Sequence, residues 1–520
     1  MIALLILLPA VAGLVAFYVR DDRIRRALLV ATASVHVGAA LASWAPGVAS
    51  AAPILGGWIG LDAVGRLVLT LASVLFFAAS LFAVGYLAGE RRDHGPRADF
   101  VERALFTNAP EAVFTGCLLC FLATMSLVCA SRHFGVLWVA IEATTLCSAP
   151  LLYFHRHARS LEATWKYLLL CSVGIGIALL GNFCLEAAQA SAATPDATTV
   201  ANASDLANAS SMLVDDLVAR HRPLDPTWLK VAFLCLLVGY GTKMGLAPLH
   251  AWLPDAHSEA PSLVSALLSG ALLNCAFLGI LRALQVVGAA GEAAFAQPLL
   301  VGFGLLSMGF AVVFILGQAS FKRMLAWSSV EHMGLLALAI GLGGAGISAA
   351  MLHTVNHSLT KGMLFLLAGN ILGHYRSRES SDVRGLLKTL PITGLLWVLG
   401  FFAITGTPPF GPFLSELAIL RAAFAQGRVG LGLATLAALA LVFLGMARVV
   451  LRMAYGRPLD GGSGAAGASA PASSTPPPRE SWLAVGPPAL LFSFVLLLGV
   501  WVPPIVSGAI EQAARALGLP

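Results

Sequence analysis

The chain has 520 residues, of which 58% are hydrophobic and 11% are charged, and its mean hydropathy is +0.84. This composition supplies too little polar surface to cover a water-soluble globule, which excludes a soluble protein. The net charge is +6, but the basic residues lie in short loops beside apolar runs, a pattern that sets membrane orientation and argues against nucleic-acid binding. We therefore predict an all-α, polytopic protein embedded in the lipid bilayer.

Runs of about 18 or more apolar residues predict about fourteen transmembrane helices. The first run lacks the basic segment of a cleaved signal peptide and is predicted to be a spanning helix. The runs lie near 2–19, 27–43, 64–88, 112–130, 134–154, 167–188, 227–250, 262–282, 297–318, 323–343, 346–373, 390–423, 428–454 and 482–506.

The connecting loops alternate between rich and poor in Lys and Arg. The rich loops include 20–26, 156–166, 322–323 and 376–388. By the positive-inside rule these loops face the cytoplasm, which places both termini in the periplasm of a bacterium and the protein in the inner membrane.

The long connections contain no recognisable chemistry. Residues 188–226 are polar, and a Gly/Ala/Ser/Pro segment near 456–480 is typical of a flexible linker. The eight cysteines lie mostly in apolar runs, where they pack as small hydrophobes. With no nucleotide or iron–sulfur motif, we expect no cofactor in this chain.

The stretch Val238–Pro261 places Lys243 near the middle of an apolar run, which Gly245 and Pro248 then interrupt. An ammonium at that depth is costly and usually faces a bundle interior or a wet cavity on an ion path. The alternative is a lysine that extends to a nearby surface. Glu142, near the middle of another apolar run, is the obvious partner for this charge.

His353, His357 and Lys361 are spaced by four and therefore follow one helix face. The spacing favours a proton relay. A metal site is an alternative, but Lys361 would repel a cation and the sequence shows no third ligand. Satisfied core histidines are the other alternative.

Glu416 lies in a second apolar run interrupted by Gly and Pro, as in the Lys243 region. A pair of such interrupted helices indicates inverted repeats with a transport site between them. Further polar candidates follow the first break or begin later helices, each more typical of a structural residue when taken alone. They are His250, His257, Glu259 and His332.

Three segments together resemble one known family. GTKMGLAPLHAWLPDAHSEAPSLVSALLSG, FKRMLAWSSVEHMG and MLHTVNHSLTKGMLFLLAGN are similar to the antiporter-like proton-translocating subunits of complex I, group 4 hydrogenases and multisubunit sodium/proton antiporters. Within that family the chain looks most like the hydrogenase-4 component F type.

The resemblance implies fourteen helices with two inverted five-helix repeats and breaks in helices 7 and 12. It also implies that Glu142 pairs with Lys243, that His353, His357 and Lys361 form a polar stripe, and that Glu416 is the exit residue. Asn274 stands where many relatives carry a lysine, so the central relay is expected to use His250 or water instead.

These features predict N-terminal helices in 1–110, a translocating core in 111–425 whose second repeat continues to about 455, and C-terminal helices in 426–520. The leading hypothesis is a proton-translocating membrane subunit of a redox-driven complex, hydrogenase-4-like or NADH:quinone oxidoreductase-like, that moves protons through a mid-membrane Glu/Lys/His relay. Its expected partners are the other membrane subunits and redox subunits on separate chains, and no metal is expected in this chain. The alternative is a subunit of a multisubunit cation/proton antiporter or another transport assembly.

Overall fold

The computed structural model describes residues 1–45, 47, 52–92, 110–192, 211–219, 224–456 and 480–518. Almost all of the predicted linker near 456–480, and most of the polar connection 188–226, lie outside these residues. Within the described ranges the regular elements are helices, and extended pairing is limited to isolated bridges. The all-α prediction is confirmed.

Twenty α-helices follow one another along the described chain. They are α1 (Ile2–Tyr18), α2 (Asp22–Ala42), α3 (Ala63–Arg92), α4 (Glu111–Ala130), α5 (Phe134–Leu152), α6 (Ala158–Ala192), α7 (Val214–Ala219), α8 (Pro226–Met244), α9 (Trp252–Glu259), α10 (Ser262–Leu267), α11 (Leu273–Ala289), α12 (Ala293–Leu316), α13 (Phe321–Leu342), α14 (Ala345–Tyr375), α15 (Leu386–Thr389), α16 (Pro391–Ile404), α17 (Gly411–Ala425), α18 (Val429–Tyr455), α19 (Trp482–Val500) and α20 (Pro504–Ala516). A π-helical turn, Leu268–Leu272, joins α10 to α11.

In the described chain, ten helical segments are long and apolar enough to cross a membrane, counting α10 and α11 with the π turn as one. Shorter apolar helices, α1 and α16, accompany them. Helices α8, α14 and α17 are outside the ten, and these three carry Lys243, the His353–Lys361 stripe and Glu416. The count of fourteen spans and the inverted repeats remain predictions.

The core of the bundle is the segment α10–α11 together with α13. The apolar windows of both are completely buried by their neighbours, whereas most of the α18 window is exposed on the outside of the described chain. Glu331 and His332, which lie within α13, are therefore shielded from lipid by the neighbouring helices.

Both predicted helix breaks are present. Helix α8 ends where the Gly245 amide donates to the Gly241 carbonyl over 2.9 Å, with Gly245 at φ +85°. A Cβ at Gly245 would lie 2.4 Å from Cδ1 of Leu253, so glycine is required there. Between α16 and α17, Gly406 has φ +62° and reverses the chain in the same way.

Helices α6 and α8 approach each other closely through small residues. A Cβ at Gly174 would lie 2.7 Å from the Thr242 Cβ, and one at Gly239 would lie 2.6 Å from the Ala178 Cβ. Small residues let membrane helices meet backbone to backbone. This contact places α6 directly against the helix that carries Lys243.

The arginine-poor loops gather at one end of the bundle. There Arg282, which is 1% exposed, holds Asp62 through two hydrogen bonds of 2.6 and 2.7 Å. Burial alone would raise the pKa of the Asp62 carboxyl, but the Arg282 charge and hydrogen bonds outweigh burial and hold that pKa well below its usual range. Isolated bridges between Ile59 and Ser131 and between His133 and Leu213 close the same end.

Candidate functional site

Lys243 is fully buried in the last turn of α8. Its Nζ donates to Oγ1 of Thr145 over 2.8 Å and to the Tyr167 hydroxyl over 2.7 Å. The ammonium also lies 4.4 Å from the centroid of the Tyr167 ring, and a cation at a helix C-terminus is favoured by the helix dipole. The alternative of a lysine that extends to a nearby surface is therefore not observed: the charge is held inside the bundle.

Glu142 approaches Lys243 through an intermediary. Its Oε2 accepts from Oγ1 of Thr145 over 3.3 Å, and its Oε1 accepts from Oγ of Ser172 over 2.7 Å. Among these described residues no ion pair joins the two charges directly. Thr145 thus connects the carboxylate and the ammonium, and Tyr167 and Ser172 on α6 support one charge each.

A second cluster lies where α13, α14 and α17 meet. Nδ1 of His332 lies 3.0 Å from Nε2 of His353, and Nδ1 of His353 lies 3.0 Å from Oγ of Ser415. The His357 ring centroid lies 5.2 Å from that of His332. All three histidines are buried, so His332, a secondary candidate from the sequence, is central to the cluster.

Glu331 was not singled out from the sequence, although it directly precedes His332. It is 1% exposed, its Oε1 has no hydrogen-bond partner, and its Oε2 lies 3.3 Å from Nε2 of His332. Lys361, also fully buried, donates to the Leu325 carbonyl over 2.8 Å and to Oγ of Ser328. The sequence did contain a signal for Glu331: it is a carboxyl group within an apolar helix, and burying such a group costs free energy.

Glu416 faces the second helix break. Its Oε1 has no hydrogen-bond partner, and a Cβ at Gly406 would lie 1.9 Å from its Oε2. The carboxyl lies at the wall of a cavity of about 570 Å³ between α16, α17 and α18. Glu416 therefore separates the histidine cluster from a space at the break.

The second cluster contains a set of groups that could hold a metal. Ligand atoms of His332, His353 and Glu416 all lie within 4.8 Å of one another. This set shares His353 with the pair considered from the sequence but does not include His357. Both ring nitrogens of His353 already face other groups, His332 and Ser415. Metal binding at His353 would cost one of these contacts, and the absence of metal remains a prediction.

The remaining sequence candidates are spread around these two centres. The His250 ring contacts Phe310 and Trp327 edge to face, and the described hydrogen bonds join it neither to Lys243 nor to the second cluster. Asn274 donates to Oγ of Ser358 over 2.6 Å, at the turn that follows the π-helical segment.

Two candidates, His257 and Glu259, lie on α9, toward the arginine-rich end. His257 is fully buried, and Glu259 forms an ion pair of 2.6 Å with Arg378. The structure therefore brings neither residue into the two clusters.

Comparisons with known proteins agree with this architecture. Residues 131–442 match the family described as the transmembrane part of NADH:quinone oxidoreductase and Mrp antiporters. The chain is 36% identical over 372 residues to the hydrogenase-4 component F homolog of Methylacidiphilum infernorum (isolate V4), a match that covers 71% of this chain and 74% of that relative.

Two solved structures are similar over nearly the whole chain. A chain of an archaeal membrane-bound sulfane sulfur reductase matches with a TM-score of 0.81 and 23% identity, covering 100% of this chain and 98% of that one. A chain of the Mrp complex from Dietzia sp. DQ12-45-1b matches with a TM-score of 0.79 and 22% identity, covering 99% and 97%. At these identities the likeness concerns the fold.

Proposed function

Since the chain belongs to the NADH:quinone oxidoreductase/Mrp antiporter transmembrane family, we propose that it is a proton-translocating membrane subunit of a redox-driven complex. Among its relatives, the hydrogenase-4 component F homolog is the one on which we base this proposal. The redox chemistry belongs to partner subunits on separate chains. The observation that carries the proposal is the line of buried ionisable groups on α13, α14 and α17, which ends at a helix break.

The hydrogen-bond geometry of the second cluster supports proton transfer through it. A neutral imidazole accepts a proton on one nitrogen and releases one from the other. His332 and His353 are joined by a contact of 3.0 Å, and His353 continues to Ser415, the residue before Glu416. In this proposal protons pass from His332 through His353 to Glu416 and leave at the helix break.

In this proposal the partner subunits act on the Lys243 centre by changing the proton affinity of Lys243. Its ammonium is held by Thr145 and Tyr167, and Glu142 reaches it through Thr145. A change in that arrangement alters how favourably Lys243 holds its proton, which is the step that redox energy must drive. Moving one charge across the membrane against 100 mV costs about 2.3 kcal/mol, so the chain needs its partners to move protons uphill.

The loops rich in Lys and Arg face the cytoplasm in this proposal. Both termini are then periplasmic and the protein lies in a bacterial inner membrane, in agreement with the positive-inside rule. The multi-pass membrane character itself follows from the described helices and from the family.

The test is reconstitution of the purified complex in vesicles. We expect proton uptake that depends on the electron donor and is abolished by an uncoupler, whereas the isolated chain should show no redox turnover with dye acceptors. Turnover by the isolated chain would contradict the assignment of redox chemistry to partners.

A second candidate is a subunit of a cation/proton antiporter, favoured by the fold similarity to the Mrp complex. Proton movement that requires a sodium gradient and no electron donor would support this candidate over the first.

A further inference from the structure

The arginine-rich loops enclose a cavity of about 990 Å³ at their end of the bundle. Its walls come from α6, α9, α13, α14 and the adjoining loops, and charged side chains dominate them. There Oε1 of Glu259 forms an ion pair of 2.6 Å with the Arg378 guanidinium, and Oε2 of Glu259 lies 3.5 Å from Nε2 of His157. We call this space the arginine-end cavity. It is large enough for many water molecules.

Lys322 lies directly beneath the floor of this cavity. It is 0% exposed, and its Nζ donates to the Ala260 carbonyl over 2.6 Å. Ala260 follows Glu259, and both Arg323, next to Lys322 in the chain, and Ser320, two residues before it, line the cavity. A buried ammonium is therefore separated from the cavity by one loop of backbone.

His257 is the next ionisable group inward. It is fully buried, and neither of its ring nitrogens has a hydrogen-bond partner. Its ring stacks on Phe365 with the centroids 5.0 Å apart and the planes at 17°. Phe365 is one helical turn beyond Lys361 on α14, and the charges of Lys361 and Lys322 both act on the His257 ring.

A buried histidine with a structural role looks different in this protein. In His36, Nε2 lies 3.0 Å from the Leu5 carbonyl and 2.9 Å from Oγ of Ser126, and Nδ1 lies 3.0 Å from Oγ of Ser73. Leaving both nitrogens of His257 unmatched costs about 1–3 kcal/mol for each group. A phenylalanine would avoid that cost while keeping the stacking on Phe365, so packing alone does not account for His257.

We propose that the arginine-end cavity is the port through which protons reach the path from solution, and that Lys322 and His257 pass them inward to Lys361. This inference rests on the proposed function. Lys322 gives a proton to one ring nitrogen of His257 and regains one from cavity water, and His257 releases a proton from its other nitrogen toward Lys361. From Lys361 the route continues through Glu331 to His332.

Two substitutions separate relay from packing. Lys322→Arg keeps the positive charge and a donor for the Ala260 carbonyl, but a guanidinium does not release its proton at physiological pH. His257→Phe keeps the stacked ring. In the reconstituted complex we expect both variants to assemble, Lys322→Arg with unchanged thermal stability and His257→Phe with equal or higher stability. Both should translocate protons at least about tenfold more slowly.

Lys230→Arg is the matched control. Lys230 lies on α8 and forms an ion pair of 3.1 Å with Glu292, away from the cavity and the path, and we expect parental rates from it. Proton translocation within twofold of the parent by both Lys322→Arg and His257→Phe would overturn the inference.

A second experiment separates this inference from the proposed function. Gly373 lines the cavity, and a Cβ there meets no atom within 4 Å. Gly373→Cys should be modified by a charged, membrane-impermeant thiol reagent above the background of the native cysteines, and modification should slow translocation at least about tenfold by blocking the port.

Gly430→Cys, at the start of α18 and equally unobstructed, should be modified from the opposite side of the membrane without loss of rate. If the parent complex translocates protons but modified Gly373→Cys keeps the parental rate, the port is wrong and the proposed function stands. If the parent complex translocates none, both fail.

Discussion

Replacing Lys243 by methionine tests the Lys243 centre most directly. The substitution keeps an unbranched side chain of similar length but removes the ammonium that Thr145 and Tyr167 hold. We expect coupled proton translocation to fall by about two orders of magnitude while the complex still assembles.

The magnitude follows from two opposing terms. Hydrogen bonds from a charged donor contribute about 1.5–3 kcal/mol each, so the variant loses about 3–6 kcal/mol. It also no longer buries an ammonium, which costs several kcal/mol in a folded protein. These terms nearly cancel in the free energy of unfolding. Transport has no such compensation. Without the lysine, the transported proton has no group to hold it at the membrane centre and meets a barrier of about 2.5–3.5 kcal/mol there. A barrier of that height slows translocation about 100-fold.

The assay is donor-driven proton uptake by vesicles containing the purified complex, with thermal melting of the solubilised complex measured alongside. Lys230→Met is the control, since Lys230 lies on the same helix and is 39% exposed. Normal uptake by Lys243→Met would refute the reasoning. So would an unfolded variant, because it would show that the ammonium stabilises the fold.

Three further outcomes are expected. Elemental analysis of the purified complex should find no stoichiometric transition metal, and His353→Ala should leave the metal content unchanged; a metal that this variant loses would support a metal site at His332, His353 and Glu416 instead. Asp62→Asn should destabilise the fold by about 3–5 kcal/mol. Because its pKa is lowered in the folded chain, the Asp62 contribution is present at any pH above 3.8, and an unchanged melting temperature at pH 7 would contradict it. Gly406→Ala should displace the Glu416 carboxylate, 1.9 Å from the new Cβ, and slow translocation at least about tenfold. Gly427→Ala, with a similar φ of +71° but open space, should keep the parental rate; equal losses would indicate backbone strain alone.

Several of the buried charges, though not Glu331 or Lys322, were visible in the sequence for a physical reason. A lysine or glutamate inside an apolar run can be recognised from sequence alone, because the free-energy cost of the charge depends strongly on its depth in the bilayer. Lys243, Lys361 and Glu416 were found in this way, and the structure places all three inside the bundle. The two helix breaks were equally visible, since Gly and Pro mark them.

The partners of those charges were not visible. Tyr167 reaches Lys243 only because α6 and α8 meet through glycines, and Thr145 lies between two charges that the sequence paired directly. His250 was expected to serve a central relay, yet its ring packs against aromatic side chains. Contacts between helices depend on rotation and separation, which no run of residues specifies.

Helix α6 touches both charges of the Lys243 centre. Its Tyr167 accepts from the ammonium and its Ser172 donates to Glu142, about 7.5 Å apart along the same rigid rod. The outer face of this rod, including Trp165 and Val173, is exposed in the chain described here. A push on that face that slides α6 by about 1 Å would stretch both bonds together. Such a displacement takes bonds of 2.7 Å beyond the normal hydrogen-bond range, so the helix can convert mechanical work by a neighbouring subunit into a simultaneous change at the acid and at the base.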